Sequence, residues 1–259
     1  MTPPLFPPPV APVAPNSRHA FGGIWRLTAR RFLGPRQLLP LPFVLAILAV
    51  LGAAIVHEGK SGPYFSWASG FYLTFLMPVL AFISGGGAIR DDLRSGSVDY
   101  VLTRPVSRPA FLVFKFMAHL ACIQVISLGG LAVVIGVGYF RQIPGVWSFL
   151  PWLLLGQAIT ITAFAALGFL SGVLTSRFVI IGLFYGAIIE AGLGNIPVQI
   201  NKLAMTHQVK AMLPQLAPVP EQGAWITIAI LLAYAAVMLA VAATVFSFQQ
   251  LAGARPTEA

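Results

Sequence analysis

Six apolar stretches, each about long enough to cross a bilayer, constrain the fold of this 259-residue chain more than any other feature. A hydrocarbon core of about 30 Å requires roughly 20 helical residues. The chain is 58% hydrophobic and 9% charged, whereas a soluble domain carries about 25% charged residues. The sequence therefore predicts an all-α polytopic membrane protein with six transmembrane helices in residues 38–248. The stretches lie near Leu38–Val56, Tyr64–Gly87, Phe116–Tyr139, Ser148–Leu174, Phe178–Leu193 and Ala224–Phe246.

The distribution of Lys and Arg predicts how these helices are oriented. Short cytoplasmic loops accumulate basic residues. Of the 16 basic residues, all but four fall on one predicted side of the membrane, and those four are Lys60, Arg141, Lys202 and Lys210. We therefore expect both termini to be cytoplasmic, with the protein in the plasma membrane, the inner membrane of a prokaryote. The net charge of +9 does not indicate nucleic-acid binding, because the basic residues form no stripe and no recognisable motif.

Two segments precede the first predicted span. Residues 1–17 are rich in proline and lack the pattern of a cleaved signal peptide, so they are predicted to form a disordered tail. Residues 18–37 are predicted to form an amphipathic helix in the lipid headgroup region. Its apolar face comprises Phe21, Ile24, Trp25, Thr28 and Phe32, opposite Arg26 and Arg30. A basic flank that only fixes orientation is the alternative. Residues 249–259 are predicted to be a cytoplasmic tail.

The densest charge lies in residues 88–115, between two apolar stretches. Charges avoid hydrocarbon, so this loop must be in contact with water. Gly85, Gly86 and Gly87 are expected to end the second span, and Pro105 and Pro109 bound the loop, which indicates a compact docking element rather than a slack connector. The loop contains eight of the chain's 16 basic and 7 acidic residues, namely Arg90, Asp91, Asp92, Arg94, Asp99, Arg104, Arg108 and Lys115.

The order of residues in this loop resembles the first cytoplasmic loop of permease subunits of type-2 ATP-binding-cassette (ABC) exporters. That loop commonly has an apolar position, acidic residues, a glycine, an apolar stretch, P-x-S-R and a lysine entering the next span. The T-S-R at 175–177 and the G-N-I-P at 194–197 are also similar. The chain departs from the family pattern at two positions. A position where glutamate is frequent is Asp91 or Asp92 here, and a position before the lysine where glycine is frequent is Phe114. The matching residues are Ile89, Asp91, Asp92, Ser95, Gly96, Val98, Leu102, Pro105, Val106, Ser107, Arg108 and Lys115.

The resemblance implies that this loop contains a coupling helix, which sits in a groove of a separate ATP-hydrolysing subunit. It implies ATPase contacts at Asp91, Asp92, Arg94 and Gly96, with Arg104 and Arg108 at the edge of the contact or at lipid phosphate. It also implies a second permease subunit, identical or homologous. A loop that only sets topology is the alternative.

Motifs for chemistry within the chain itself are missing. The sequence nearest to a phosphate-binding G-x-x-x-x-G-K-[ST] runs from Ala54 to Ser61, lacks the first glycine and falls on the predicted outer side. His57-Glu58 starts like a zinc motif, but position 61 is serine rather than histidine. We therefore predict no catalytic residue, no metal site and no cofactor bound by this chain, with ATP and Mg on the partner subunit.

Polar residues within the spans are candidates for a substrate path. Gln124 and Gln157 could line such a path, although hydrogen bonds between helices are the alternative. Counted from the start of the fifth stretch, Glu190 lies roughly 20 Å into a core of about 30 Å. A carboxylate at that depth must be paired, protonated or in contact with water. The alternative is that the fifth helix ends early and leaves Glu190 in an outer vestibule near Lys202 or Lys210 of the predicted outer segment 195–222.

These observations favour a transmembrane permease subunit of an ATP-driven exporter. Two other classes stay open: a secondary transporter powered by an ion gradient, and a non-transporting membrane anchor or assembly factor. A secondary transporter usually shows internal repeats and broken helices with charges at the midplane. Only Glu190 indicates such a protein, and two matching halves are not apparent in the sequence.

Overall fold

The computed structural model describes residues 17–94, 107–192, 201, 204–213 and 223–248. The predictions for residues 1–16, for Gly96 and Arg104 of the loop, for most of segment 195–222 and for residues 249–259 lie outside these ranges. The regular secondary structure of the described residues is helical. The helices are α1 (Ser17–Phe32), α2 (Pro35–Leu38), α3 (Pro40–Ile55), α4 (Ser61–Trp67), α5 (Met77–Arg94), α6 (Arg108–Phe140), α7 (Val146–Leu174), α8 (Phe178–Tyr185), α9 (Met205–Ala211) and α10 (Ala224–Phe248).

Two segments of wider, π-helical winding extend these helices. Residues Ala68–Leu76 connect α4 to α5, and residues Gly186–Gly192 continue α8. Four continuous helical stretches in the described residues are long and apolar enough to cross a membrane: Ser61–Leu93, Arg108–Phe140, Val146–Leu174 and Ala224–Phe248. Two shorter apolar helices, Pro40–Ile55 and Phe178–Gly192, correspond to the first and fifth predicted spans. The chain is thus a multi-pass helical membrane protein.

Helix α7 lies at the centre of the bundle, and glycines allow α5 to pack directly against its backbone. A Cβ atom placed on Gly85 would lie 2.7 Å from the Ala165 carbonyl oxygen, and one placed on Gly172 would lie 2.6 Å from the Gly86 oxygen. Any larger residue at these positions would force the two helices apart. Helix α10 packs on another side of α7, while α1 and α3 pack against α6.

This packing explains why α5 does not end at its three consecutive glycines. The sequence predicted that Gly85, Gly86 and Gly87 would end it, but α5 continues through them to Arg94. Glycine weakens a helix in water by roughly 1 kcal/mol relative to alanine, whereas here Gly85 and Gly86 are buried contact points for neighbouring helices. Consequently Asp91 and Asp92 lie in the last turn of α5, and the predicted loop 88–115 begins inside one helix and ends inside the next.

The bundle has two distinct ends. At one end the α3–α4 and α6–α7 connections meet, where the Gly59 amide donates to the Arg141 carbonyl at 3.0 Å. At the other end Arg31 of α1 contacts the last turn of α5, and the Arg108 guanidinium donates to the Ser247 carbonyl of α10 at 3.3 Å. The N-terminal helix, both ends of the charged loop and the end of α10 therefore lie together, as the predicted topology requires.

Candidate functional site

Four charged residues form a cluster where the charged loop leaves and rejoins the membrane helices. The Arg31 guanidinium lies 3.0 Å from an Asp91 carboxylate oxygen and 2.9 Å from an Asp92 oxygen. The Lys115 ammonium lies 2.6 Å from the other Asp92 oxygen. We call these four residues the ion-pair cluster. It links the last turn of α1, the last turn of α5 and the beginning of α6.

Burial differs sharply within the ion-pair cluster. The Asp92 and Lys115 side chains are only 11% and 7% exposed, while Arg31 and Asp91 are 45% and 50% exposed. A buried charge that loses its partner is strongly destabilising, because the remaining charge cannot be solvated. Asp92 and Lys115 therefore require each other, and Asp92 accepts a second cation from α1. Asp92 therefore stabilises contacts between helices of this chain.

Helix α1 is held against α6 by its apolar face as well. Ile24 and Thr28 are 8% and 4% exposed, and the Phe32 ring packs edge-on against His119 at 4.9 Å between centroids. Phe21 packs edge-on against Phe114 at 5.3 Å. The apolar face of the predicted interfacial helix thus faces protein along much of its length. Trp25, at 37% exposed, is oriented partly outward.

The predicted coupling residues therefore occupy different environments. Asp91 has a half-exposed carboxylate at the end of α5 and is accessible to a partner. Asp92 is buried in the ion-pair cluster. Arg94 ends α5, and its side chain is not among those the structure describes. Arg108 begins α6 and contacts the end of α10. The assignment of these residues to an ATPase contact stays a prediction.

The predicted path residues Gln124 and Gln157 take part in hydrogen bonds between helices. The Gln157 amide donates to the Ser127 hydroxyl at 2.7 Å and accepts from the Tyr72 hydroxyl. The Gln124 amide donates to the Ala158 carbonyl at 2.9 Å. Gln157 is only 1% exposed. Together these bonds join the first π segment, α6 and α7, which is the alternative that the sequence left open for both glutamines.

Glu190 lies in the second π segment and binds the beginning of α9. Its carboxylate accepts from the Met205 amide at 3.1 Å, from the Thr206 amide at 3.0 Å and from the Thr206 hydroxyl. Ala204, the residue before α9, has no side chain that could cap the helix. Glu190 therefore satisfies amides at the start of α9 that lack helical partners.

Arg31 is the member of the cluster that sequence reasoning missed. In the sequence, Arg31 is one of the basic residues that indicate orientation, at the end of the predicted amphipathic helix. The signal that points to it is Lys115, because a lysine inside an apolar stretch needs a carboxylate, and Asp92 is near in the sequence. A carboxylate has two oxygens and can bind a second cation, which the preceding amphipathic basic helix α1 can supply.

The family model for ABC-2 family transporter proteins matches residues 19–251, most of the chain. The match includes the amphipathic α1, the ion-pair cluster and the helical bundle. A comparison with curated proteins found no significant match. Because the family model covers far more than half of the sequence, the chain belongs to the ABC-2 family transporter proteins.

Proposed function

We propose that this chain is the permease subunit of an ATP-driven exporter, with six transmembrane helices and with ATP hydrolysed on a separate nucleotide-binding subunit. ATP and Mg would bind that partner. The family membership supports a permease, and the ion-pair cluster is the observation that carries the coupling role. It ties three helices together at the two ends of the loop that resembles a coupling helix.

Force applied to the charged loop would reach the bundle through this cluster. A partner that binds the exposed Asp91 pulls on the last turn of α5, and Arg31 and Lys115 move with it because they share the carboxylates of Asp91 and Asp92. Helix α5 in turn packs directly against α7 through Gly85 and Gly172. The first helices to move are therefore α1, α5 and α6, and α7 follows α5.

The proposed topology places the ion-pair cluster in the cytoplasm of a prokaryotic cell, with both termini on that side. This orientation is supported by the excess of Lys and Arg in the segments predicted to lie on the same side of the membrane as the cluster. Apolar side chains remain largely exposed on α3, α8 and α10, for example Phe43 at 69%, Leu183 at 72% and Trp225 at 79%. These faces suit lipid and a second permease subunit, and the substrate path would run between the two permeases.

The proposal is tested by purifying the chain with a nucleotide-binding subunit and measuring Mg-ATP hydrolysis after reconstitution. Asp91→Lys should lower the stimulated ATP hydrolysis severalfold while the protein remains folded. Glu58→Lys is the matched control, because Glu58 is an exposed carboxylate at the opposite end of the bundle. Equal hydrolysis by both variants would contradict the coupling role of Asp91.

Flux measurements separate the alternatives. In inside-out vesicles, ATP-dependent uptake from a panel of candidate substrates supports an exporter. Uptake driven by an ion gradient without the ATPase subunit would indicate a secondary transporter. Stimulated ATP hydrolysis without uptake of any member of the panel would favour a membrane anchor.

A further inference from the structure

A cavity of about 470 Å³ lies between α1, α3, α5 and α6, beside the ion-pair cluster. Ligand pockets in proteins typically occupy about 300–1,000 Å³. Most of the wall is aliphatic and is formed by α3, α5 and α6, for instance by Leu45, Leu80 and Ile123. Leu80 and Ile83 line the cavity and are also 36% and 46% exposed, so the cavity is not sealed from the surrounding membrane.

One end of this cavity is polar, and its charges are already matched. Arg31, Asp91 and Lys115 line that end. With Asp92, two cations face two carboxylates, at distances between 2.6 and 3.0 Å. The cluster thus leaves no net charge to attract an anion, and a ligand head with a net charge would disturb the pairing.

Two buried polar side chains next to this end have no hydrogen-bond partner among the described residues. They are Thr28, 4% exposed, whose hydroxyl is unpaired, and His119, 0% exposed, whose two ring nitrogens are both unpaired. Both residues line the cavity. Buried polar groups in native proteins nearly always have partners, and a hydroxyl and a neutral imidazole can each donate and accept. A ligand head that donates and accepts hydrogen bonds would satisfy both residues.

The depth of the cavity matches one leaflet of a bilayer. Beyond Lys115 at the polar end, the α6 wall runs from His119 to Gly130, which spans roughly 16 Å at 1.5 Å per residue. Half of a hydrocarbon core of about 30 Å is about 15 Å. The polar end lies beside the last turn of α5, where the charged loop begins, and the aliphatic part lies further along α5 and α6.

We propose that this cavity binds one acyl chain of a membrane lipid whose head is uncharged or zwitterionic and hydrogen-bonds to His119 and Thr28. The acyl chain lies along α3, α5 and α6, and the head stops beside the ion-pair cluster. Bound lipid then fills the space between α1 and α5, the two helices that Arg31 joins. This inference requires only a membrane location and is independent of ATP-driven transport.

The test uses the purified full-length chain in vesicles of phosphatidylglycerol, whose anionic head the cavity should disfavour. Increasing amounts of phosphatidylethanolamine with a diazirine on its acyl chain are added to these vesicles. After irradiation, labelled peptides are mapped by mass spectrometry. Labelling of the α3 and α6 segments that line the cavity should saturate with added probe, whereas labelling of the exposed face of α10 should rise linearly, as expected of bulk lipid. Linear labelling at the cavity would overturn the proposal.

Variants identify the site within the protein. Gly87 lines the cavity, and a Cβ atom there would meet no other atom within 4 Å. Gly87→Phe should therefore fill the cavity and lower the saturable labelling severalfold. Gly136→Phe is the matched control, because Gly136 on α6 is equally uncrowded but does not line the cavity. Equal labelling of both variants would overturn the site. Monodisperse elution and helical circular dichroism establish that each variant is folded.

The proposed lipid head group is tested separately from the acyl chain. His119→Phe removes both ring nitrogens but keeps a similar shape, and it should reduce the saturable labelling by the phosphatidylethanolamine probe severalfold. A phosphatidylglycerol probe with the same acyl chain should label the wild-type cavity less than the phosphatidylethanolamine probe at equal mole fraction. Preferential labelling by the anionic probe would overturn a net-neutral head. Undiminished labelling of His119→Phe would overturn the hydrogen bond between the lipid head group and the His119 imidazole. Water would then be the hydrogen-bond partner of His119.

Discussion

Lys115 and Asp92 form an ion pair of 2.6 Å although both side chains are almost completely buried. The two residues are 23 positions apart and lie near the two ends of the predicted loop 88–115, so their pairing closes that loop at its base. Arg31 binds the same Asp92 carboxylate from α1. A loop closed in this way moves together with the helices that flank it, which distinguishes it from a slack connector.

Neutralising Asp92 should destabilise the protein much more than neutralising Asp91. Asp92→Asn leaves the Lys115 ammonium buried without a carboxylate, and breaking a buried pair costs about 3–5 kcal/mol. Asp91→Asn removes a half-exposed pair, which is worth about 0–1 kcal/mol. Thermal unfolding in detergent measures both variants. Equal midpoints would show that Asp92 is solvated in the folded protein.

Removing Arg31 should loosen α1 without unfolding the bundle. Arg31→Ala deletes the contact between α1 and α5 but leaves the pair of Asp92 with Lys115, so hydrogen exchange should increase in α1 and remain unchanged in α7. Arg30→Ala is the matched control, because Arg30 is exposed on the same helix. If both variants exchange at the same rate in α1, the apolar face alone holds that helix.

Gly172 and Gly186 should respond differently to alanine, although each is the second glycine of a G-x-x-x-G spacing, at 168–172 and 182–186. A Cβ atom on Gly172 would lie 2.6 Å from the Gly86 carbonyl oxygen, whereas one on Gly186 would meet nothing within 4 Å. Gly172→Ala should therefore cost about 1–3 kcal/mol, as overpacking does, and Gly186→Ala should be close to neutral. Thermal unfolding of the two variants checks this, and comparable losses would contradict the close approach of α5 and α7.

Gln157→Leu should have a modest effect on stability and little effect on transport. It removes the hydrogen bonds with Ser127 and Tyr72, and such bonds between membrane helices average about 0.6 kcal/mol with a maximum of about 1.7 kcal/mol. The Tyr72 hydroxyl keeps the Ser127 carbonyl as an acceptor, at 3.3 Å. Unfolding and flux are both measured. Loss of flux with unchanged stability would restore Gln157 as a residue of the substrate path.

The sequence predicted the helical stretches and the grouping of charges well, because apolar length and charge position are local properties. It did not predict the partners of buried polar groups. Asp92 reads as one of two equivalent acidic residues in the loop, and only the packing of α1 against α6 makes it buried while Asp91 stays accessible. The glycines at 85–87 do not end the helix for the same reason, since Gly85 and Gly86 pack against α7, some 80 residues later in the chain.

Variants of Glu190 distinguish a structural role of its carboxylate from a functional one. Its two oxygens bind the Met205 and Thr206 amides at the start of α9. Glu190→Gln keeps one oxygen acceptor and loses the other, so it should weaken this cap by about 0.5–2 kcal/mol and increase hydrogen exchange of the Met205 and Thr206 amides. Glu190→Ala should increase it further.

Thr206→Val is the matched control, because it removes the hydroxyl contact and leaves both amide bonds to the carboxylate. If Glu190 acts only as a cap, export in flux assays should fall in the same order as amide protection across the three variants. Complete loss of export in Glu190→Gln with normal protection of α9 would show that the charge itself is required.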